Sequence, residues 1–146
     1  MLSFNSYSVS DTEAIAEKLG SLLKSGNVIA YFGGLGMGKT AFTRGLAKGM
    51  GIKTDVSSPT FAIVNDYGGN PPLVHFDMYK VESWDDLYSS GFFDYLDMGA
   101  VLAVEWSENI ENALPDDTIR VTIKQGESPE ERFITIEGID DENFSS

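Results

Sequence analysis

A chain of 146 residues with no cysteine and a single histidine has material for one hydrophobic core, and it excludes disulfides, cysteine-based zinc sites and histidine-clustered metal sites. Any metal is therefore expected to be a hard cation on oxygen ligands. A net charge of -13 makes a surface that repels a nucleic-acid backbone, so any function touching RNA needs another protein to hold it.

The first ten residues, "MLSFNSYSVS", lack the charged start and apolar run of a secretory signal, and no stretch approaches the roughly 18 apolar residues of a membrane span. The expectation is a cytoplasmic protein without membrane contact. "SDTEAIAEKLGSLLKSG" predicts an amphipathic helix with Ile15, Leu19, Leu22 and Leu23 on one face, a capping box from Ser10 to Glu13, and Gly26 at its end. "VIAYF", Val28 to Phe32, is apolar without alternation, as in a strand buried on both faces. A glycine-rich loop follows, then a helix from Thr40 to Met50 through Phe42 and Leu46.

Pro59 points to a loop entering a strand from about Phe61 to Tyr67; "GGNPP" is a turn, and Leu73 to Tyr79 is the next strand. So short a connection makes these two strands antiparallel neighbours. Glu82 to Leu96 reads as short helical pieces broken at Gly91, and Ala100 to Trp106 as a second all-apolar strand that ends in an acid. Thr118 to Lys124 and Arg132 to Ile139 alternate around a polar turn, a C-terminal hairpin. The order predicts a single α/β domain over residues 1–140, three-layered with a mixed sheet, and a frayed tail over 141–146.

Gly33-Gly34-Leu35-Gly36-Met37-Gly38-Lys39-Thr40 fits G-x-x-x-x-G-K-[ST] at every fixed position, between an apolar strand and a helix. Glycines let backbone N–H groups turn toward phosphates, the helix start places its positive end beneath them, Lys39 reaches the β and γ oxygens, and Thr40 offers a hydroxyl to Mg²⁺. Two strand-end acids qualify to complete the site, Asp77 and Glu105. Either could join the metal shell while the other polarises the attacking water. Thr60, in the stiff "SSPTF" loop, reads equally as a γ-phosphate sensor or a capping hydroxyl, and Trp106 as a cover for the site or a core residue. His75, mid-strand and without a second histidine, reads as a hydrogen-bonded structural residue. Arg44, Arg120 and Arg132 are the only arginines, too few for the lid of a small-metabolite kinase, and the absence of N-K-x-D disfavours a guanine-specific GTPase.

Four segments in order, "GGLGMGKTAFTRGLAKGMG", "SSPTFAIVNDY", "HFDMYK" and "VEWSE", resemble the TsaE family of bacterial P-loop ATPases in tRNA threonylcarbamoyladenosine biosynthesis. The similarity runs from roughly Thr12 to Pro115. The resemblance implies a P-loop NTPase-like fold with a mixed sheet, binding of Mg-ATP, and action with TsaD and TsaB on adenosine 37 of tRNA, which this chain meets only through that complex. Carried to matching positions, it implies Thr40 and Glu105 as Mg²⁺ ligands, Lys39 on the phosphates, Asp77 as an acid needed for hydrolysis, Trp106 beside the site and Thr60 as a switch-like residue. Gly33, Gly36, Met37, Gly38 and Ala41 complete the nucleotide cradle. The segment Val9 to Thr12 and Arg132 match more loosely as further nucleotide contacts. Departures are Gly34 in place of Asp, Ala41 in place of a second Thr, and Lys80 in place of Arg; none removes a required ligand, and their bearing is on the turnover rate. The rival readings are a small-metabolite kinase and a nucleotide-sensing module without appreciable hydrolysis.

Overall fold

The structure, a computed structural model, describes residues 1–33, 38–53, 64–78, 81–140, 142 and 144. The elements in chain order are β1 (Leu2–Ser6), α1 (Val9–Gly20), β2 (Val28–Gly33), α2 (Lys39–Gly49), β3 (Val64–Gly69), β4 (Pro72–Asp77), α3 (Trp84–Ser89), α4 (Phe92–Asp97), β5 (Val101–Glu105), a 3₁₀ segment (Ser107–Ala113), β6 (Ile119–Gln125) and β7 (Arg132–Glu137).

The seven strands form one mixed sheet in the order β1-β7-β6-β2-β5-β4-β3. β2 runs parallel to both β5 and β6, and β4 runs parallel to β5. The β3–β4 and β6–β7 pairs are antiparallel, as the short connections require.

The apolar strands at the centre are covered on both faces. Ile29, Tyr31, Ala103 and Val121 pack with Leu19 of α1 and Phe42 and Leu46 of α2. Val28, Val74, Phe76, Leu102 and Val104 pack with Leu87 of α3 and Phe92 of α4 on the opposite side. Side chains alternate along a strand, so this division gives the three layers directly. α1 and α2 approach closely where Gly45 lies: a Cβ there would come within 2.6 Å of the Ala16 Cβ.

One strand is added and two expectations about α1 are corrected. β1 occupies a segment in which the sequence pattern gives no strand; its antiparallel partner is β7, with Leu2 opposite Ile136 and Ser6 opposite Arg132. The cap of α1 is Ser8, not Ser10: the Ser8 Oγ accepts from the Asp11 N–H at 3.1 Å, and the Asp11 carboxylate accepts from the Tyr7 N–H at 3.0 Å. This is the reciprocal logic of a capping box, set two residues earlier. Glu13, released from that role, pairs with Arg44 of α2 at 3.1 Å. α1 also stops at Gly20, with Ser21 as its C-cap, well before Gly26.

Of the tail expected to fray, Phe144 is buried, with its ring 5.3 Å from that of Phe4 on β1 and the Lys18 Nζ 5.2 Å from its centroid. Gly91 does interrupt the helical segment, as the N-cap of α4. Residues 61–63 and Tyr79, expected at strand ends, lie outside the described residues.

Candidate functional site

The site grows from the step between β2 and α2. Gly33 ends β2 opposite Ile123, and a Cβ at Gly33 would fall 2.3 Å from the Ile123 carbonyl oxygen, so no larger residue fits. Gly38 caps α2 in the left-handed region, φ 97° and ψ 2°, and offers no side chain to the first-turn N–H groups. No acidic residue stands in that first turn either. A helix N-terminus in this state presents uncapped donors and a positive dipole end, the chemistry that receives an anion.

Lys39 opens α2 and is 97 % buried by its 3 % exposure. No carboxylate among the described residues pairs with it; its Nζ lies 5.9 Å from the centroid of the Trp106 ring. A buried ammonium carries a large desolvation cost unless an anion joins it. Below it, the Thr43 hydroxyl donates to the Lys39 carbonyl at 2.9 Å and shares a 2.7 Å bond with the Tyr31 hydroxyl. Burial pushes the Tyr31 phenol well above its usual range, with the Glu105 charge adding to that effect against the Thr43 bond. The phenol therefore stays protonated and supports the helix start.

The acids come from the parallel pair β4–β5. Asp77 and Glu105 are directly opposite in register at the strand ends. Positions two apart share a face, so Asp77 goes with Leu73 and Glu105 with Val101 and Ala103, on the side covered by α2. Glu105 is 9 % exposed and Asp77 half-buried. The Met78 N–H donates to the Glu105 carbonyl at 3.0 Å and the Asn109 Nδ2 to the Met78 carbonyl at 2.8 Å, tying both strand ends together. Trp106 follows with φ 58°, the one positive φ outside glycine among the described residues. Holding a bulky residue there costs about 1 to 3 kcal/mol, and such strain concentrates where a side chain must be aimed.

A cavity of about 250 Å³ beside this step is lined by Ser8, Val9, Thr12, Gly38, Ala41, Pro129, Glu130 and Arg132. The β1–β7 pairing builds it. Ser6 lies opposite Arg132, and the buried Ser6 Oγ bonds the Thr12 Oγ1 at 2.7 Å, which brings the start of α1 against the start of β7. Arg132 is held by its own turn, its Nη1 donating to the Pro129 and Glu131 carbonyls at 2.7 and 2.9 Å. So Val9, Thr12, Gly38, Ala41 and Arg132 share one mouth, Lys39 and Thr40 begin the adjoining helix, and Asp77, Glu105 and Trp106 stand at the neighbouring strand ends. Gly36, Met37 and Thr60 lie outside the described residues, as do Gly34 and Lys80. Another cavity, of about 260 Å³, between α3 and the 3₁₀ segment, is lined by residues such as Val81, Trp84 and Asn109 and includes none of the expected site residues.

Sequence reasoning missed the partner of His75, whose Nε2 lies 2.7 Å from the Glu105 Oε2. It also missed Tyr31, Thr43 and Ser6 as supports. Tyr31 in an otherwise aliphatic strand was the available signal; the others carried none.

A mixed sheet with helices on both faces, an uncapped glycine-led helix after β2 and acids at adjacent parallel strand ends define a three-layer α/β protein with a candidate site at the strand C-termini. The pattern of the family described as "Threonylcarbamoyl adenosine biosynthesis protein TsaE" matches residues 6–134, and the chain belongs to that family. It is 39% identical over 130 residues to the tRNA threonylcarbamoyladenosine biosynthesis protein TsaE of Bacillus subtilis, covering 88% of this chain and 80% of the relative. The TsaE of Treponema pallidum is 34% identical over 119 residues, covering 82% and 88%. A crystal structure of Bacillus subtilis YdiB superposes with a TM-score of 0.75 at 34% identity, over 92% of this chain and 83% of that one.

Proposed function

We propose that the chain is a Mg²⁺-dependent ATPase that supports TsaD and TsaB in forming threonylcarbamoyladenosine at position 37 of tRNA. The observation that carries this reading is Lys39: a buried cation at an uncapped helix start, without a carboxylate partner among the described residues, over the ring of Trp106, which directly follows the strand end where Glu105 stands opposite Asp77. ATP is the substrate. Its phosphates would take the anion position at α2, with Lys39 on the β and γ oxygens and the adenosine end toward Val9, Thr12, Ala41 and Arg132.

The residues present fit a hard cation, because a threonine hydroxyl at Thr40 and a carboxylate at Glu105 are oxygen donors of the required type. Thr40 and Glu105 would hold Mg²⁺, which when bound neutralises charge on the phosphate oxygens. Asp77, beside Glu105 in register, is the acid that orients the attacking water. Water adds to the γ-phosphorus, the bond to the β-phosphate oxygen breaks, and ADP and inorganic phosphate leave. Lys39 stabilises charge and Trp106 limits water around it. Hydrolysis by the chain alone is slow, and the partner complex raises it.

The scarcity of arginines and the acidic surface favour water over a bound metabolite as acceptor, and leave tRNA to the partners. Isothermal titration of Mg-ATP against the wild type and Lys39→Ala tests the site. Saturable one-to-one binding, weakened by about 10- to 100-fold in the variant, is the expected result; equal binding by both, or none by either, contradicts it.

A further inference from the structure

His75 is wholly buried in the middle of β4, on the face shared with Asp77 and covered by α2. In parallel register it stands opposite Ala103, whose small side chain leaves the imidazole room beside the next residue on that face, Glu105. The Nε2 lies 2.7 Å from the Glu105 Oε2 and has no other partner. The contact is at ion-pair distance without the geometry of a hydrogen bond, so attraction between the imidazole and the carboxylate, rather than an aligned N–H bond, joins the pair. On the far side of the ring the Tyr67 hydroxyl is 3.4 Å from Nδ1. A carboxylate only accepts, which puts the proton on Nε2 and leaves Nδ1 to accept from Tyr67. An imidazole buried among Leu73, Val101 and Ala103 costs desolvation that an aliphatic residue would not, so its presence needs a return elsewhere in the site.

We propose that His75, with its tautomer set by the Glu105 carboxylate and matched by Tyr67 at Nδ1, is a positioning residue for Glu105: it engages Oε2 and thereby commits Oε1 to the metal ion of the nucleotide. The proposal rests on the Mg²⁺-ATPase reading and extends it to a residue that touches neither nucleotide nor metal. Partners behind a metal-binding carboxylate fix its rotamer, and their loss typically weakens metal affinity or turnover by about 10- to 100-fold.

The test compares the wild type with His75→Phe, His75→Asn and His75→Gln. Gln returns an N–H near the Nε2 position, whereas the shorter Asn reaches only toward Nδ1. Readouts are kcat and KM for ATP, thermal midpoint, and Mn²⁺ affinity in the presence of a non-hydrolysable ATP analogue, followed by electron paramagnetic resonance. His75→Phe and His75→Asn are expected to lower kcat and Mn²⁺ affinity by about tenfold or more, with KM within about twofold. His75→Gln is expected to recover both to within about fivefold. If His75→Phe fails to fold, the Asn and Gln pair decides. Unchanged Mn²⁺ affinity in folded His75→Asn, or no recovery in folded His75→Gln, overturns the positioning role while the ATPase reading stands. A wild type without analogue-dependent Mn²⁺ binding contradicts the ATPase reading, and the positioning role falls with it.

Discussion

Lys39 shows how one side chain can be costly in the fold and useful in the site. Its burial beside the Trp106 ring makes an anion the natural occupant of the helix start. Charge-assisted bonds to phosphate contribute about 1.5 to 3 kcal/mol, so Lys39→Ala should weaken Mg-ATP binding by about 10- to 100-fold in titration calorimetry. Tyr31 gives a prediction from pH. Its phenol titrates above its ordinary 10.0 because the fold buries it, so the neutral form is favoured in the folded state. The associated stability is whole below about pH 10 and is lost as pH rises beyond it. Urea unfolding at pH 9 and pH 11 should therefore show an alkaline loss that is reduced in Tyr31→Phe. That variant also gives up the Thr43 bond, at about 1 kcal/mol near neutral pH.

At the scale of elements, the α1–α2 contact holds the site together from behind. Gly45 has no space for a side chain against Ala16 and the Glu13 carbonyl, so Gly45→Val should destabilise the fold by about 1 to 3 kcal/mol or more in urea unfolding. Leu46→Ala, emptying a fully buried position in the same layer, should cost about 2 to 5 kcal/mol. The β2–α2 step was legible in the sequence because its glycine spacing and flanking apolar strand are local signals, and Asp77 and Glu105 were legible because each closes an apolar run. β1 was not: "LSFNS" has only Leu2 and Phe4 as apolar residues and gains its strand from pairing with β7 at the other end of the chain. The same distant pairing brings Arg132 to Val9 and Thr12, so their shared cavity could not be read from spacing. The His75–Glu105 contact was hidden for the same reason, as it depends on the register between β4 and β5. Ser8 lost to Ser10 in the reading because both precede an acid by three residues; the Tyr7 N–H bond to Asp11 decides between them.

The whole molecule carries a charge of -13 on 146 residues, and no helix among the described residues is long and apolar enough to cross a membrane. Such a surface should not hold tRNA by itself: filter binding at about 100 mM salt should give no retention at micromolar protein, in contrast to the micromolar non-specific affinities of basic nucleic-acid proteins. Exposed Trp84, Tyr88 and Met98 leave apolar surface on the α3–α4 side, none of them lining the cavity at the start of α2. Under the proposed function, the substrate-bearing work belongs to the partners and the energy supply to this chain. The most direct test counts threonylcarbamoyladenosine formed per TsaD in a reconstituted reaction with TsaB, tRNA, activated threonylcarbamoyl donor and ATP, using either the wild-type chain or Glu105→Ala. Many turnovers with the wild type and about one with Glu105→Ala are predicted, with ATP hydrolysis lost in step. Sustained modification by a Glu105→Ala chain that still binds ATP but does not hydrolyse it would contradict the account.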